Sequence, residues 1–132
     1  PKVAKGLARW ATIVREASKQ AHRARVPEVG PLVTTGDLAA LAATTQMLLL
    51  EPTADLALTA LTLRGDAGAA DAAVEGRDLV LVVGPEGGFS PEELARLADA
   101  GATAVRMGDT VLRTSTAGPA ALAVVNALLG RW

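Results

Sequence analysis

Three short segments hold most of the residues suited to chemistry. Gly84-Pro85-Glu86-Gly87-Gly88 sets one carboxylate among three glycines, where missing Cβ atoms let backbone approach a bound molecule closely and adopt positive φ. It lacks the Gly-Lys-Ser/Thr ending of a P-loop and does not match the G-x-G-x-x-G dinucleotide spacing. Glu86 would repel a phosphate, yet it suits an ammonium, a sulfonium or a ribose hydroxyl. A nucleotide-like ligand without phosphates is therefore expected, the alternative being a tight turn that touches no ligand. The second segment is Leu50-Glu51-Pro52. The third runs from Met107 to Thr116 and contains Gly108, Asp109 and the cluster Arg113-Thr114-Ser115-Thr116.

Each segment follows an apolar run that predicts a buried strand: Gln46–Leu50, Leu79–Val83 and Thr103–Met107. Leu79–Val83, uncharged and rich in β-branched residues, suits a strand buried on both faces. Loops at the carboxyl ends of parallel strands are where open α/β sheets hold ligands, so one shared pocket is expected. Ser90, Pro91 and Glu93 spell out a helix start, with serine as cap and glutamate at the third helical position. That helix runs from Pro91 to Ala100 and closes at Gly101.

Leu7, Trp10, Val14, Ala17 and Ala21 recur at helical spacing between charged residues, giving an amphipathic first helix of about four turns. Val26-Pro27 is expected to end it, because proline disfavours α geometry in the preceding residue. Val29–Val33 predicts a short strand, weakened by Gly30 and Pro31. Thr35-Gly36-Asp37 opens a short helix through Ala43. Asp55–Leu61 predicts one or two helical turns, and residues 64–76 a surface loop or loosely helical connection. Pro119–Leu129 is an almost wholly apolar helix that must be covered on all sides, deep in the fold or in a subunit interface.

The 132 residues suit one domain. Half are hydrophobic, yet only Trp10, Phe89 and Trp132 are aromatic, so Ala, Val and Leu must build the core. Without cysteine and with His22 as the sole histidine, a disulfide framework, a cysteine nucleophile and a His- or Cys-based metal site are not expected. No apolar run approaches the ~20 residues that span a bilayer, and no signal-peptide pattern opens the chain. A soluble cytoplasmic protein is expected. Net charge is −1, but residues 1–25 carry seven basic side chains against Glu16 alone. Such an asymmetry is a candidate nucleic-acid footprint, or else a solvated helix face set against acidic protein.

RWATIVREASKQAHRARVPEV, LLLEP, LVVGPEGGFSPEEL and MGDTVLRTSTA, in that order, resemble the SPOUT methyltransferases and, within them, the RsmE family. That family methylates N3 of a uridine in 16S ribosomal RNA. The resemblance implies a SPOUT-type α/β fold, a mostly parallel sheet flanked by helices, with a C-terminal trefoil knot. It also implies S-adenosylmethionine as cofactor, 16S rRNA of the small ribosomal subunit as partner, a homodimer, and no metal or membrane. Members carry a PUA-like RNA-binding domain and then a first strand and helix, for which this sequence has no counterpart. Residues 1–132 are accordingly expected to be most of a catalytic domain.

Carried over to this chain, the resemblance implies cofactor binding by Leu50, Glu51, Val83, Gly84, Pro85, Glu86, Gly87, Gly88, Met107, Gly108, Val111, Leu112, Thr114, Thr116 and Ala117. Arg113, Ser115 and Glu86 form the implied catalytic set. Arg113 would orient the target base or a phosphate through its forked donors, and Glu86 would serve the cofactor or accept the departing proton. Arg9, Lys19, Arg23, Arg25 and Arg113 are the expected RNA contacts. Two departures stand out: many relatives have histidine where Glu51 stands, and glutamate where Ser115 stands. A base role for that glutamate has no heir here. The rival readings are a noncatalytic RNA-binding or ribosome-assembly module and a SPOUT methyltransferase with another RNA target.

Overall fold

The computed structural model describes residues 1–63 and 78–132, which fall into two compact units, residues 1–34 and 35–132. The connection expected over residues 64–76 lies outside the described residues.

The first unit is built on helix α1, Lys2–Gln20. It opens earlier than the Leu7 periodicity suggested and stops well before Pro27. His22 takes φ 51°. Its N–H donates to the Lys19 carbonyl at 3.2 Å, while the Arg23 N–H reaches back to Ser18 at 3.0 Å. This pair of bonds is the Schellman ending, so local capping ends the helix before the proline can act. Val29–Val33 forms no strand, as expected where proline has no ladder donor and glycine has no side chain to pack. Of α1 only Ser18 is buried, its hydroxyl donating to the Val14 carbonyl at 2.7 Å. Trp10 is 58% exposed.

The second unit is a three-layer α/β fold. Helix α2 (Thr35–Ala42) leads to strand β1 (Gln46–Leu50), and a 3₁₀ turn follows at Leu58–Ala60. After residue 78 come strand β2 (Leu79–Val83), helix α3 (Pro91–Asp99), strand β3 (Thr103–Val105) and helix α4 (Thr114–Leu128). The sheet is parallel throughout, in the order β2-β1-β3, with Leu50 opposite Val83 and Val105. The doubly buried strand is thus β1, whose Met47, Leu48, Leu49 and Leu50 are all buried. Each such leucine stabilises the fold by roughly 1.5–3 kcal/mol. β2 instead lies at the edge of this sheet and is half-buried along its length. Its apolar composition identified a strand and not its place in the sheet.

Alternation sorts the strand side chains to two cores. Leu48, Leu50 and Val105 pack with Ala117, Ala121 and Val125 of α4 on one face. Met47 and Leu49 pack with Ala42 of α2 and Leu97 of α3 on the other. α3 begins with the full capping box: the Glu93 N–H donates to the Ser90 hydroxyl at 3.2 Å, and the Ser90 N–H to the Glu93 carboxylate at 3.0 Å. The Thr35 hydroxyl also donates to Glu93 at 3.2 Å, stitching the start of α2 to α3. The Ser90 backbone bond, then the Thr35 hydroxyl, hold the Glu93 carboxyl below its ordinary range. Gly101 closes α3 at φ 107°, with its N–H on Ala98 and that of Ala102 on Leu97.

Two further boundaries differ from expectation. β3 ends at Val105; Arg106 then makes an isolated parallel bridge with Ala57 in place of Met107 extending the strand. α4 starts at Thr114, and Pro119 lies inside it instead of opening it. Proline here has no N–H for the Ser115 carbonyl, which loses its intrahelical donor. α4 is covered on one stripe only, since Leu122 is 54% exposed. Among the described residues no helix is long and apolar enough to cross a membrane.

Candidate active site

All three strands run the same way, so Leu50, Val83 and Val105 deliver their following loops to one edge of the sheet. Those loops enclose a cleft of about 630 Å³, within the size range of small-molecule sites.

The loop after β1 is tied down from several sides. The Glu51 N–H continues the ladder to the Val105 carbonyl at 2.9 Å, and the Ala54 N–H returns to the Glu51 carbonyl at 3.1 Å. Glu51 Oε1 accepts from the Thr53 N–H at 3.0 Å and from the Thr53 hydroxyl at 2.8 Å. Arg106, half-buried at the end of β3, donates Nη1 to the Ala54 carbonyl at 3.1 Å and also to the Asp55 carbonyl. Its backbone pairs with Leu56 and Leu58.

The loop after β2 is held by fewer bonds. The Gly88 N–H donates to the Pro85 carbonyl at 2.8 Å, closing a turn that leaves Glu86 exposed at its tip. Gly88 has φ 72°, a conformation costly for any residue with a Cβ. A Cβ at Gly84 would sit 3.2 Å from the Phe89 ring, so glycine there admits the aromatic side chain. The Thr114 hydroxyl donates to the Gly84 carbonyl at 3.3 Å, joining this loop to the start of α4. Arg113 caps α4 through its backbone, its carbonyl accepting from Thr116 at 2.8 Å and Ala117 at 2.9 Å. That leaves the guanidinium uncommitted among the described residues.

The cleft brings together most of the residues singled out from sequence. Leu50, Glu51, Val83, Gly84, Pro85, Glu86, Gly88, Met107, Val111, Leu112, Arg113, Thr114, Ser115 and Ala117 all line it. Gly87 and Thr116 do not; Gly108 lines instead a neighbouring hollow of about 130 Å³ with Leu58 and Arg106. Gly87 occupies the turn's interior and Thr116 the first turn of α4, positions that spacing alone does not separate from lining ones. Pro52 and Thr110 line the cleft without having been singled out. Their loops were legible; which side chains turn inward was not. Thr53 and Arg106 act behind the lining, and the one signal available was a hydroxyl two residues after a carboxylate.

Among the described residues Arg113 is the single cation lining the cleft, against Glu51 and Glu86. Among the described residues no cluster of three or more His, Asp or Glu could hold a metal ion. Arg9, Lys19, Arg23 and Arg25 belong to the first unit and are exposed there. Lys19 pairs with Glu16 at 2.8 Å, and that bond lowers the Glu16 pKa.

A parallel sheet covered on both faces, with a glycine loop and an α4 entry sharing one strand-end cleft, is the arrangement with which open α/β domains hold small molecules. The chain belongs to the RNA methyltransferase domain family, which matches residues 1–126. It is 46% identical to ribosomal RNA small subunit methyltransferase E of Mycobacterium bovis, over 99% of this chain and 48% of that protein. Among solved structures, ribosomal RNA small subunit methyltransferase E from Neisseria gonorrhoeae, bound to S-adenosylmethionine, is similar at TM-score 0.77 and 31% identity, covering 97% of this chain and 50% of that one. A putative methyltransferase from Legionella pneumophila, in complex with the same cofactor, matches at TM-score 0.76 and 28% identity over 96% and 48%. The Mycobacterium and Neisseria relatives carry the name of the family that the motifs resemble, and the chain spans about half of the length of all three.

Proposed function

We propose that this chain is the catalytic part of an S-adenosylmethionine-dependent methyltransferase acting on N3 of a uridine in 16S ribosomal RNA. The convergence of the Glu51, glycine and Arg113 loops on one cleft is the observation that carries this reading. The described lining fits the cofactor: small and apolar residues leave room for a nucleoside, Glu51 and Glu86 suit a cationic ligand, and Arg113, the one cation among the described residues, is no phosphate cradle. Leu50, Glu51, the glycine loop and Met107 to Leu112 would hold it. When bound, the cofactor supplies an electrophilic methyl group.

What remains for the protein is alignment and charge stabilisation. As the uracil N3 proton departs, negative charge gathers on the flanking carbonyl oxygens, and it is discharged when N3 receives the methyl group. Arg113 is suited to donate to those oxygens, with Ser115 adding a hydroxyl donor, while the Thr114 hydroxyl is given to the Gly84 carbonyl. Glu86, exposed at the tip of its turn, is open to the departing proton or to the cofactor's positive charge. Arg9, Lys19, Arg23 and Arg25 would meet RNA phosphates. A homodimer fits the exposed Leu122 on α4, and the C-terminal knot follows from the family resemblance; the cytoplasmic location is the reading of a sequence with no apolar run of spanning length.

Calorimetry on the intact protein should register binding of S-adenosylmethionine or its demethylated product, and a folded protein that binds neither would sink the proposal. Mass spectrometry of ribosomal RNA from cells with and without the gene should show one methyluridine lost. Ser115, standing where many relatives carry glutamate, favours a second reading as a noncatalytic RNA-binding module. Intact protein that binds RNA but transfers no labelled methyl would decide for it.

A further inference from the structure

We propose that Thr53 is a positioning residue that fixes the Glu51 carboxylate so that its second oxygen accepts a hydrogen bond from the adenosyl cofactor. The inference rests on the cleft being the cofactor site and adds a residue outside its lining.

The segment after β1 is closed without Thr53. The Ala54 N–H already returns to the Glu51 carbonyl, and Arg106 holds the Ala54 and Asp55 carbonyls from the end of β3. Thr53 nevertheless gives both of its donors, the backbone N–H at 3.0 Å and the hydroxyl at 2.8 Å, to the same oxygen, Oε1 of Glu51. A flexible carboxylate is thereby locked before any ligand arrives, which lowers the ordering cost of binding. Oε2 has no partner among the described residues, and Glu51 lines the cleft. A half-buried carboxylate oxygen with its geometry set in this way suits an N–H or O–H donor. The cofactor offers three such sources: its ribose hydroxyls, the amino group of its adenine and its amino-acid ammonium.

The test is calorimetric binding of S-adenosylhomocysteine and of methylthioadenosine, which keeps the ribose but lacks the ammonium, to the intact protein and its variants. Thr53→Val is expected to weaken S-adenosylhomocysteine binding roughly tenfold, in line with loss of an oriented charged hydrogen bond. Thr53→Ser, which keeps both donors, should bind like the parent. Weakening of both ligands assigns the donor to the nucleoside, ribose or adenine; weakening of S-adenosylhomocysteine alone assigns it to the ammonium. In a Glu51→Ala background Thr53→Val should cost nothing more, whereas a merely structural role would cost the same in either background. Equal binding by parent and Thr53→Val overturns this inference alone; a parent that binds neither ligand overturns the cofactor reading with it.

Discussion

Residues 1–34 and 35–132 use helices in opposite ways. α1 carries Lys2, Lys5, Arg9, Arg15 and Lys19 over nineteen residues and buries only Ser18, while Val3, Trp10 and Ile13 stay largely exposed. α4 has no charged residue in fifteen, yet it buries just Ala117, Ala121 and Val125. Helical spacing in α1 was the clearer amphipathic pattern, and it is the helix whose apolar stripe is less covered. Periodicity states that a face wants covering; which face is covered depends on what the rest of the chain brings to it. Both helices stop with the same pair of Schellman bonds, but α4 places Gly130 at the left-handed position and α1 places His22 there.

The largest expected effect lies at the mouth of α4. Arg113→Ala should lower methyl transfer about a hundredfold, near 2.7 kcal/mol of barrier, while cofactor affinity stays within about threefold if, as proposed, the guanidinium serves the base. Single-turnover kinetics beside calorimetry checks this, and unchanged turnover removes Arg113 from the reaction.

Next comes the contrast in burial itself. Val125→Ala should cost about 2 kcal/mol by deleting packed methyl groups, whereas Trp10→Ser should change stability by less than about 0.5 kcal/mol. Equal losses in denaturant titrations would mean that the α1 stripe is covered after all. At the helix ends, His22→Gly should stabilise by about 1 kcal/mol, since a Cβ in left-handed geometry is strained. The same assay on Gly130→Ala should show a loss of similar size.

The smallest effect separates the two lowered carboxyls. Both folded pKa values are depressed, so each contributes stability that is present above the unfolded value of about 4.3 and is lost as pH falls through the folded one. Glu93 is held by a backbone N–H and the Thr35 hydroxyl, Glu16 by the hydrogen bond from exposed Lys19 and then by its charge. Thermal melts in about 1 M salt should therefore weaken the acid dependence owed to Glu16 more than that of Glu93. Loss of both would show that Glu93 too depends on long-range charge.

What the sequence determined by itself was local. Ser90, Pro91, Glu93 and Gly101 set both ends of α3, because capping bonds span only a few residues. Gln46–Leu50 declared its strand through apolar content and Leu79–Val83 through apolar, β-branched content, and the three chemically loaded loops were visible as loops. Only tertiary structure decided that β1 and not β2 is the doubly buried strand, because sheet order comes from pairings across more than thirty residues. It alone turned Pro52 and Thr110 inward and left Gly87, Gly108 and Thr116 out. It alone set Arg106 on the Ala54 and Asp55 carbonyls, and it began α4 at Thr114, ahead of its proline. Short-range bonds can be read along a chain; which side chain faces a cleft depends on segments that the chain brings together only when it folds.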